Sequence, residues 1–197
     1  LKIDGKVLFP HSLGAFYTAI TQFLGFYNYG DEYKVMGLAP YGKPRYMREM
    51  NQLIKIKNNG KFELNTKYFP HATKNLKHQW IEGKPIIAKH FDEKFLDLFG
   101  PERSKDQEIT QRHKDIAFSA QKIYEEAFFN MLNTFSVNYD TENICIAGGC
   151  GANSVANGKI TTHTKLKNVY ISSSPGDAGG AIGAGLSVWL KYSPNFV

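Results

Sequence analysis

Residues 142–190 read ENICIAGGCGANSVANGKITTHTKLKNVYISSSPGDAGGAIGAGLSVWL, and their pattern decides the fold class. ENICIAGG is a continuous apolar run that ends in a glycine turn, as a buried strand does. ANSVANGKITTHT follows as a helix and KNVYISSS as a second strand, before a loop and a last helix. Strand, glycine loop, helix, strand, glycine loop, helix is a βαβ unit, so the two strands are expected to be parallel. Both glycine loops then fall at the strand C-termini, the edge of an open α/β sheet where ligands bind. The expected class is α/β.

Gly148 and Gly149 open the first loop, and Asn153 lies in the first turn of the helix behind it. A glycine pair lets backbone N–H groups approach a phosphate without a Cβ in the way, and a helix N-terminus adds partial positive charge. The same pair also serves as a tight connection that holds nothing, and Asn153 either orients an anion or caps its own helix. The second loop carries Gly176, Asp177, Gly179 and Gly180. Asp177 either caps the last helix or bridges a divalent metal to a nucleotide. Neither loop has the Walker pattern, since no Gly-Lys-Ser/Thr follows, and neither matches the dinucleotide fingerprint.

Upstream, residues 110–138 form the longest periodic run, with Ile116, Ala120, Ile123, Ala127, Leu132 and Phe135 on one stripe of a long helix. Residues 6–9 read as a short strand ended by Pro10. Ser12 then caps a helix whose buried face holds Phe16, Ile20, Phe23 and Leu24, with Gly25 as its stop. In GDEYKVMGLAPYGKP, Asp31 is placed to cap a short helix that Pro40 ends. Met47, Met50 and Ile54 share a helical spacing. KIKNNGKFEL is expected to be a hairpin, with Asn59-Gly60 at two positive-φ turn positions. Residues from about 65 to 108 are irregular and rich in Lys, His, Phe and Tyr, which predicts a loop-rich insertion with one short helix near 92–99.

The 197 residues suffice for one domain with a core, or for a piece of something larger. Hydrophobic residues at 42% against 21% charged exclude a disordered chain. The 14 Phe and 11 Tyr predict an aromatic core or cleft. A net charge of +6 favours an anionic partner such as a nucleotide or an acyl phosphate. Lysines are scattered along the chain instead of gathered in a stripe, so nucleic acid is not the expected partner. Cys145 and Cys150 make neither a disulfide framework nor a zinc site, the pattern of a reduced, cytoplasmic chain. No signal peptide or bilayer-length segment is visible, and no membrane association is expected. The chain begins with Leu1 and stops at SPNFV, and both ends look cut.

Five segments in order resemble successive signatures of the O-carbamoyltransferase family: FPHSLGAFYTAITQFLGF, GDEYKVMGLAPYG, ERSKDQEITQRHKDIAFSAQKIYEEA, AGGCGANSVANGK and PGDAGGAIGAG. That family includes the nodulation carbamoyltransferases and enzymes that carbamoylate cephem and aminoglycoside antibiotics. The resemblance implies an actin/Hsp70/sugar-kinase-like (ribonuclease H-like) fold, related to the tRNA threonylcarbamoyl transferases. The chain would be the second lobe of the carbamoyl-transfer domain, with an upstream lobe and a C-terminal adenylate-forming domain outside it. The C-terminal domain makes carbamoyl-adenylate from carbamoyl phosphate and ATP. The transfer domain passes the carbamoyl group to a hydroxyl of a sugar or natural-product acceptor, beside a divalent metal, Fe2+.

Carried over residue by residue, the resemblance assigns Gly148, Gly149 and Asn153 to the phosphate loop, with Gly176 in the second loop. It makes Asp177 the acidic metal ligand. HSLG and KVMGLA match segments lining the nucleoside side of the cleft, which brings in His11, Gly14, Lys34 and Gly37. Lys34 would neutralise charge on the acyl phosphate as the adenylate leaves, or it is a solvated helix lysine. His11, between a proline and a capped helix, reads as structural before it reads as a ligand. His71, His78, His90, His113 and His163 have no partner at ligand spacing. The phosphate loop departs from the family pattern, with Cys150-Gly151-Ala152-Asn153 in place of Val-Ala-Leu-Asn. The paired histidines of the metal site are expected upstream of Leu1, no general base stands out, and the isolated chain is expected to be inactive. A tRNA threonylcarbamoyl transferase-like enzyme and a non-catalytic nucleotide-binding fragment are the alternative readings.

Overall fold

Ser12 opens the first regular element. Its Oγ accepts the Ala15 N–H at 3.2 Å and caps α1 (Leu13–Phe23), the bond expected of serine in this place. Phe16, Ile20, Phe23 and Leu24 are all fully buried, as their spacing predicts. Gly25 stops the helix at φ +79°. The computed structural model describes residue 3 and residues 5–193. It divides into two compact units, Leu1–Phe135 and Ser136–Val197.

After α1 the first unit continues with α2 (Glu32–Leu38), a tight turn at Ala39–Tyr41, and α3 (Met47–Leu53). Next come an antiparallel hairpin, β1 (Ile54–Ile56) with β2 (Phe62–Leu64), and a second one, β3 (Gln79–Ile81) with β4 (Lys84–Ile86). The short α4 (Phe95–Phe99) and the long α5 (Gln111–Tyr139), up to Phe135, complete it. Along α5, Ile116, Ala120, Ile123, Ala127 and Leu132 are buried, whereas Phe135 is 37% exposed where the stripe runs out at the unit boundary. Phe95 is the hub of the core, with Phe23, Phe69, Phe91 and Phe99 ring centroids 5.4 to 5.8 Å away. Tilted and edge-on pairs at this range add stabilisation beyond the area they bury. Phe69, Phe91, Phe95 and Phe99 all come from the irregular segment 65–108, which thus builds much of the core.

Several local expectations change. Residues 6–9 form no strand, having no pairing partner among the described residues, and run into a turn closed by His11 N–H on the Leu8 carbonyl at 3.0 Å. Asp31 precedes α2 but does not cap it with its side chain. Its Oδ2 instead accepts from the Asn28 N–H at 3.1 Å, and its Oδ1 pairs with Lys34 Nζ at 2.7 Å. Ile54 leaves the helical spacing to begin β1. The first hairpin forms, but Gly60 alone takes a positive φ, +73°. Its loop is longer than a two-residue turn, with Lys57 N–H bonded to the Lys61 carbonyl at 2.9 Å, so Asn59 is not forced left-handed. The second hairpin turns on Glu82 and Gly83, both at positive φ. Glutamate is not a residue that turn chemistry flags, which hid this hairpin from sequence reading.

In the second unit β5 (Asn143–Ile146) and β6 (Asn168–Ile171) pair in parallel, Ile144 opposite Val169, as the βαβ pattern predicts. The single helix expected between them is broken at Gly158-Lys159 into two turns, α6 (Ser154–Asn157) and α7 (Ile160–His163). Both strands alternate exposed and half-buried residues instead of being buried. A parallel pair is buried only when helices cover both of its faces, which two one-turn helices cannot do. Gly151, Ala156, Ile160 and Leu166 are the buried small and apolar residues here. The last helix, α8 (Gly179–Tyr192), has no buried residue. No helix among the described residues is long and apolar enough to cross a membrane.

Candidate functional site

Gly148 follows β5 with φ +106°, and the chain then makes a tight turn over Gly149–Ala152. The Gly148 N–H donates to the Pro175 carbonyl at 2.7 Å, which ties the first glycine loop to the second. Behind this bond the loops pack closely: a Cβ at Gly151 would lie 3.1 Å from Pro175 Cβ, and one at Gly179 would overlap the Ser174 carbonyl. In front the space is open, since a Cβ at Gly148, Gly149, Gly176 or Gly180 would meet nothing within 4 Å. The N–H groups of Gly149, Gly176, Asp177 and Ala178 donate to no acceptor among the described residues. Such a cluster of undirected N–H groups is what an anion-binding nest is made of.

Asn153 takes up the capping role. Its Oδ1 accepts the Ala156 N–H at 3.0 Å and caps α6, while the residue is 6% exposed. Because α6 is a single turn, it adds little macrodipole, and the corner relies on its N–H groups instead. Asp177 is not the cap of α8; Ala178 holds that position, with no side-chain cap bond. The Asp177 carboxylate is exposed and makes no hydrogen bond or ion pair among the described residues. No group of three His, Cys, Asp or Glu that could hold a metal ion occurs among the described residues. Asp177 therefore offers one carboxylate and does not make a metal centre with its neighbours. Cys145 and Cys150 are in no disulfide.

The remaining candidates lie in the first unit. His11 is tied to β2, its Nδ1 accepting the Leu64 N–H at 3.1 Å. Lys34 is tied to Asp31, a bond that raises its pKa, and lies over the Phe26 ring at 5.5 Å. Gly14 sits half-buried in the first turn of α1 and Gly37 exposed in α2. The segment after Gly37 is anchored to α5. A Cβ at Gly42 would overlap the Lys114 carbonyl. Asp115, 1% exposed, accepts the Lys43 N–H at 2.8 Å, and Ser119 Oγ accepts the Tyr46 N–H at 3.1 Å. Much of GLAPYGKP is thus explained by its seat on α5.

A sequence profile described as "Carbamoyltransferase N-terminus" matches residues 1–186. The chain belongs to this family. An uncharacterized protein of Synechocystis sp. is 44% identical over 192 residues, which cover 96% of this chain and 29% of the relative. The nodulation protein NolNO of Sinorhizobium fredii is 30% identical over 188 residues, 90% of this chain and 23% of its own length. The nodulation protein NolO of Bradyrhizobium diazoefficiens is 30% identical over 192 residues, 92% and 29% of the two chains. The chain thus spans less than a third of the length of each of these relatives.

One feature of this carbamoyltransferase N-terminus domain has no signal in the sequence. His90 lies between two other histidines, with the tilted His71 ring at a centroid distance of 5.9 Å and the stacked His78 ring at 5.8 Å. His71 donates from Nε2 to the Pro10 carbonyl at 2.9 Å, and its buried Nδ1 has no partner among the described residues. Burial, only partly offset by a bond to the Ala88 carbonyl, holds His90 below the usual imidazole range. His78 and His90 also line a cavity of about 180 Å³ with Phe26, Asn28, Tyr29 and Glu32. Spacings of seven and twelve residues through a turn-rich segment carry no periodicity that could have announced the cluster.

Proposed function

We propose that the parent protein is an O-carbamoyltransferase and that the glycine corner of this chain holds the phosphate of its adenylate. The observation that carries this reading is the junction of the two glycine loops. There the N–H groups of Gly149, Gly176, Asp177 and Ala178 donate to no acceptor among the described residues, and a Cβ at Gly149 or Gly176 would meet nothing within 4 Å. Family membership supports the reaction class. Carbamoyl-adenylate, made from carbamoyl phosphate and ATP, is the donor. The acceptor hydroxyl oxygen attacks the carbamoyl carbon, the bond from that carbon to the phosphate oxygen breaks, and AMP leaves as the hydroxyl loses its proton. N–H donors set in place on the leaving phosphate stabilise the charge that develops there. The fold we assign to the parent domain is actin-like, and the parallel β5–β6 pair with its crossover is consistent with it. Asp177 is the carboxylate we assign toward Fe2+, with its partner ligands supplied from outside this chain.

The test uses the full-length protein and calorimetry with AMP. Gly149→Val puts a branched side chain into open space at the corner. It should weaken AMP binding at least tenfold, the cost of displacing charge-assisted hydrogen bonds. Unchanged AMP affinity would remove the corner from the nucleotide site. Turnover of carbamoyl phosphate, ATP and acceptor by the 197-residue chain alone would overturn the dependence on the rest of the parent.

A further inference from the structure

The second hairpin, β3 with β4, is tied to the first unit by polar bonds at its base. Gln79, Trp80, Ile81, Lys84 and Ile86 are exposed and Pro85 is half-buried, so little apolar burial fixes it. A backbone bridge from Asn28 to Ile86 joins it to the loop before α2. Gln22, 4% exposed, holds the strand beyond β4: its Nε2 donates to the Ala88 carbonyl at 3.1 Å and its Oε1 accepts the His90 N–H at 2.8 Å. Across the base of the hairpin, His78 Nδ1 accepts the Ala88 N–H at 3.3 Å. His78, Ile87 and His90 form one wall of the 180 Å³ cavity, which Thr18, Gln22 and Glu32 also line.

These bonds require neutral imidazoles. His78 accepts through Nδ1, which only an unprotonated nitrogen can do, so its proton is on Nε2. His90 Nδ1 is 2.7 Å from the Ala88 carbonyl and must donate to it, which leaves a lone pair on Nε2. His71 uses Nε2 on the Pro10 carbonyl, and a second proton, on its buried Nδ1, would find no acceptor among the described residues. Charge on one ring opposes charge on the next, because His71 and His78 flank His90 at 5.9 and 5.8 Å. Burial holds the His90 pKa below 6.5 and the two neighbouring imidazoles act the same way, against the Ala88 carbonyl and, most weakly, Glu32. Glu32 is engaged with Thr18 Oγ1 at 2.7 Å. The nearby cations are paired elsewhere: Lys89 with Glu102 at 2.9 Å, Lys34 with Asp31 at 2.7 Å and Lys94 with Asp92 at 3.7 Å.

A proton added to His78 Nδ1 takes away the acceptor of the Ala88 N–H, and one added to His90 places a charge beside two more rings. A hairpin released into water escapes both costs. Below pH 6.5 the released form therefore binds more protons than the latched one, so the latch is whole above pH 6.5 and weakens as the pH falls. Local opening of so thinly buried an element does not require the aromatic core to unfold.

We propose that the β3–β4 hairpin is a proton-released flap: His78 and His90 latch its base at neutral pH, and protonation of the cluster they form with His71 frees it and opens that wall of the cavity. The test follows amide hydrogen exchange of the full-length protein by mass spectrometry at pH 7.5 and 5.5, each rate divided by the intrinsic rate at that pH. Residues 79–90 should lose protection about tenfold at the lower pH, while α1 keeps its own. One imidazole that must be neutral to latch, and that titrates at 6.5 when free, gives that factor over this interval. In the pair His78→Asn with His90→Asn, each amide can repeat the bond made by Nδ1 and takes up no proton. Protection of 79–90 in the pair should match the parent at pH 7.5 and change less than about twofold at pH 5.5. Each single variant should fall between the parent and the pair. Full protection of the parent hairpin at pH 5.5, the same loss in parent and variants, or an equal loss in α1 would each overturn the proposal.

Discussion

In the first unit a Cβ at Gly25 would lie 2.6 Å from the Arg103 carbonyl, and one at Gly60 would lie 2.8 Å from Thr134 Cβ. At Gly42 it would overlap the carbonyl of Lys114. In the second unit a Cβ at Gly148, Gly149, Gly176 or Gly180 would meet nothing within 4 Å. The first set is explained by neighbours already standing where a side chain would go. The second set has no such packing reason: Gly148 is explained by its φ of +106°, and Gly149, Gly176 and Gly180 border open space. Packed and open glycines occur in both units, but burial divides the units cleanly. Phe16, Phe23, Phe69, Phe95 and Phe99 are at most 2% exposed, whereas Ile182, Leu186, Val188, Trp189 and Leu190 on α8 are 45 to 58% exposed. The glycine corner thus stands on a thin core, and the aromatic unit supplies most of the buried apolar surface.

The sharpest way to break this contrast is a pair of truncations. Phe95→Ala removes the hub of the aromatic cluster and should cost about 3–5 kcal/mol in urea unfolding of the chain. Leu186→Ala, 47% exposed, should change stability by no more than about 0.5 kcal/mol. Comparable losses would mean that α8 is packed in solution. A glycine pair sharpens it next. Gly42→Ala forces the segment off α5 and should cost about 1–3 kcal/mol, while Gly149→Ala should leave the unfolding midpoint in place. Equal losses at both positions would erase the distinction between packed and open glycines.

A pH dependence is seated at the start of α5. His113 is 1% exposed, and its Nδ1 accepts the Thr110 N–H at 3.0 Å. Burial, helped by the Arg112 and Arg103 guanidinium groups, lowers its pKa from 6.5 to about 4. Between those two values the unfolded chain binds the proton and the folded chain does not. The stability it contributes is therefore whole above pH 6.5 and lost as the pH falls toward about 4. His113→Gln should flatten that part of the curve, checked by urea midpoints at pH 7 and 4.5. Identical pH slopes in variant and parent would show that His113 carries none of it.

Legibility followed sequence distance. α1 could be read because its cap and its stripe lie within a dozen residues, and the β5–β6 pair because strand and turn signals repeat over a short span. The segment 65–108 could not, since its aromatics meet Phe23 across some seventy positions and no local pattern marks that contact. The glycine corner was legible as two loops at one sheet edge. The capping bond of Asn153 and the unengaged carboxylate of Asp177 were open alternatives, because the same residue types suit both roles until the backbone around them is placed.

The family was legible through the resemblance of five segments; from the residues themselves the sequence determined the α/β class, the parallel pair and the glycine loops at its C-terminal edge. These depend on propensities, turn chemistry and spacing that act over a few residues. Only the tertiary structure decided which loop N–H groups remain unengaged among the described residues, that Asp115 anchors the motif after Gly37, and that His78, His90 and Glu32 line one cavity. Those facts depend on segments far apart in the chain. Which of them meet is set by the apolar area their contact buries, a quantity that exists only once the chain has folded.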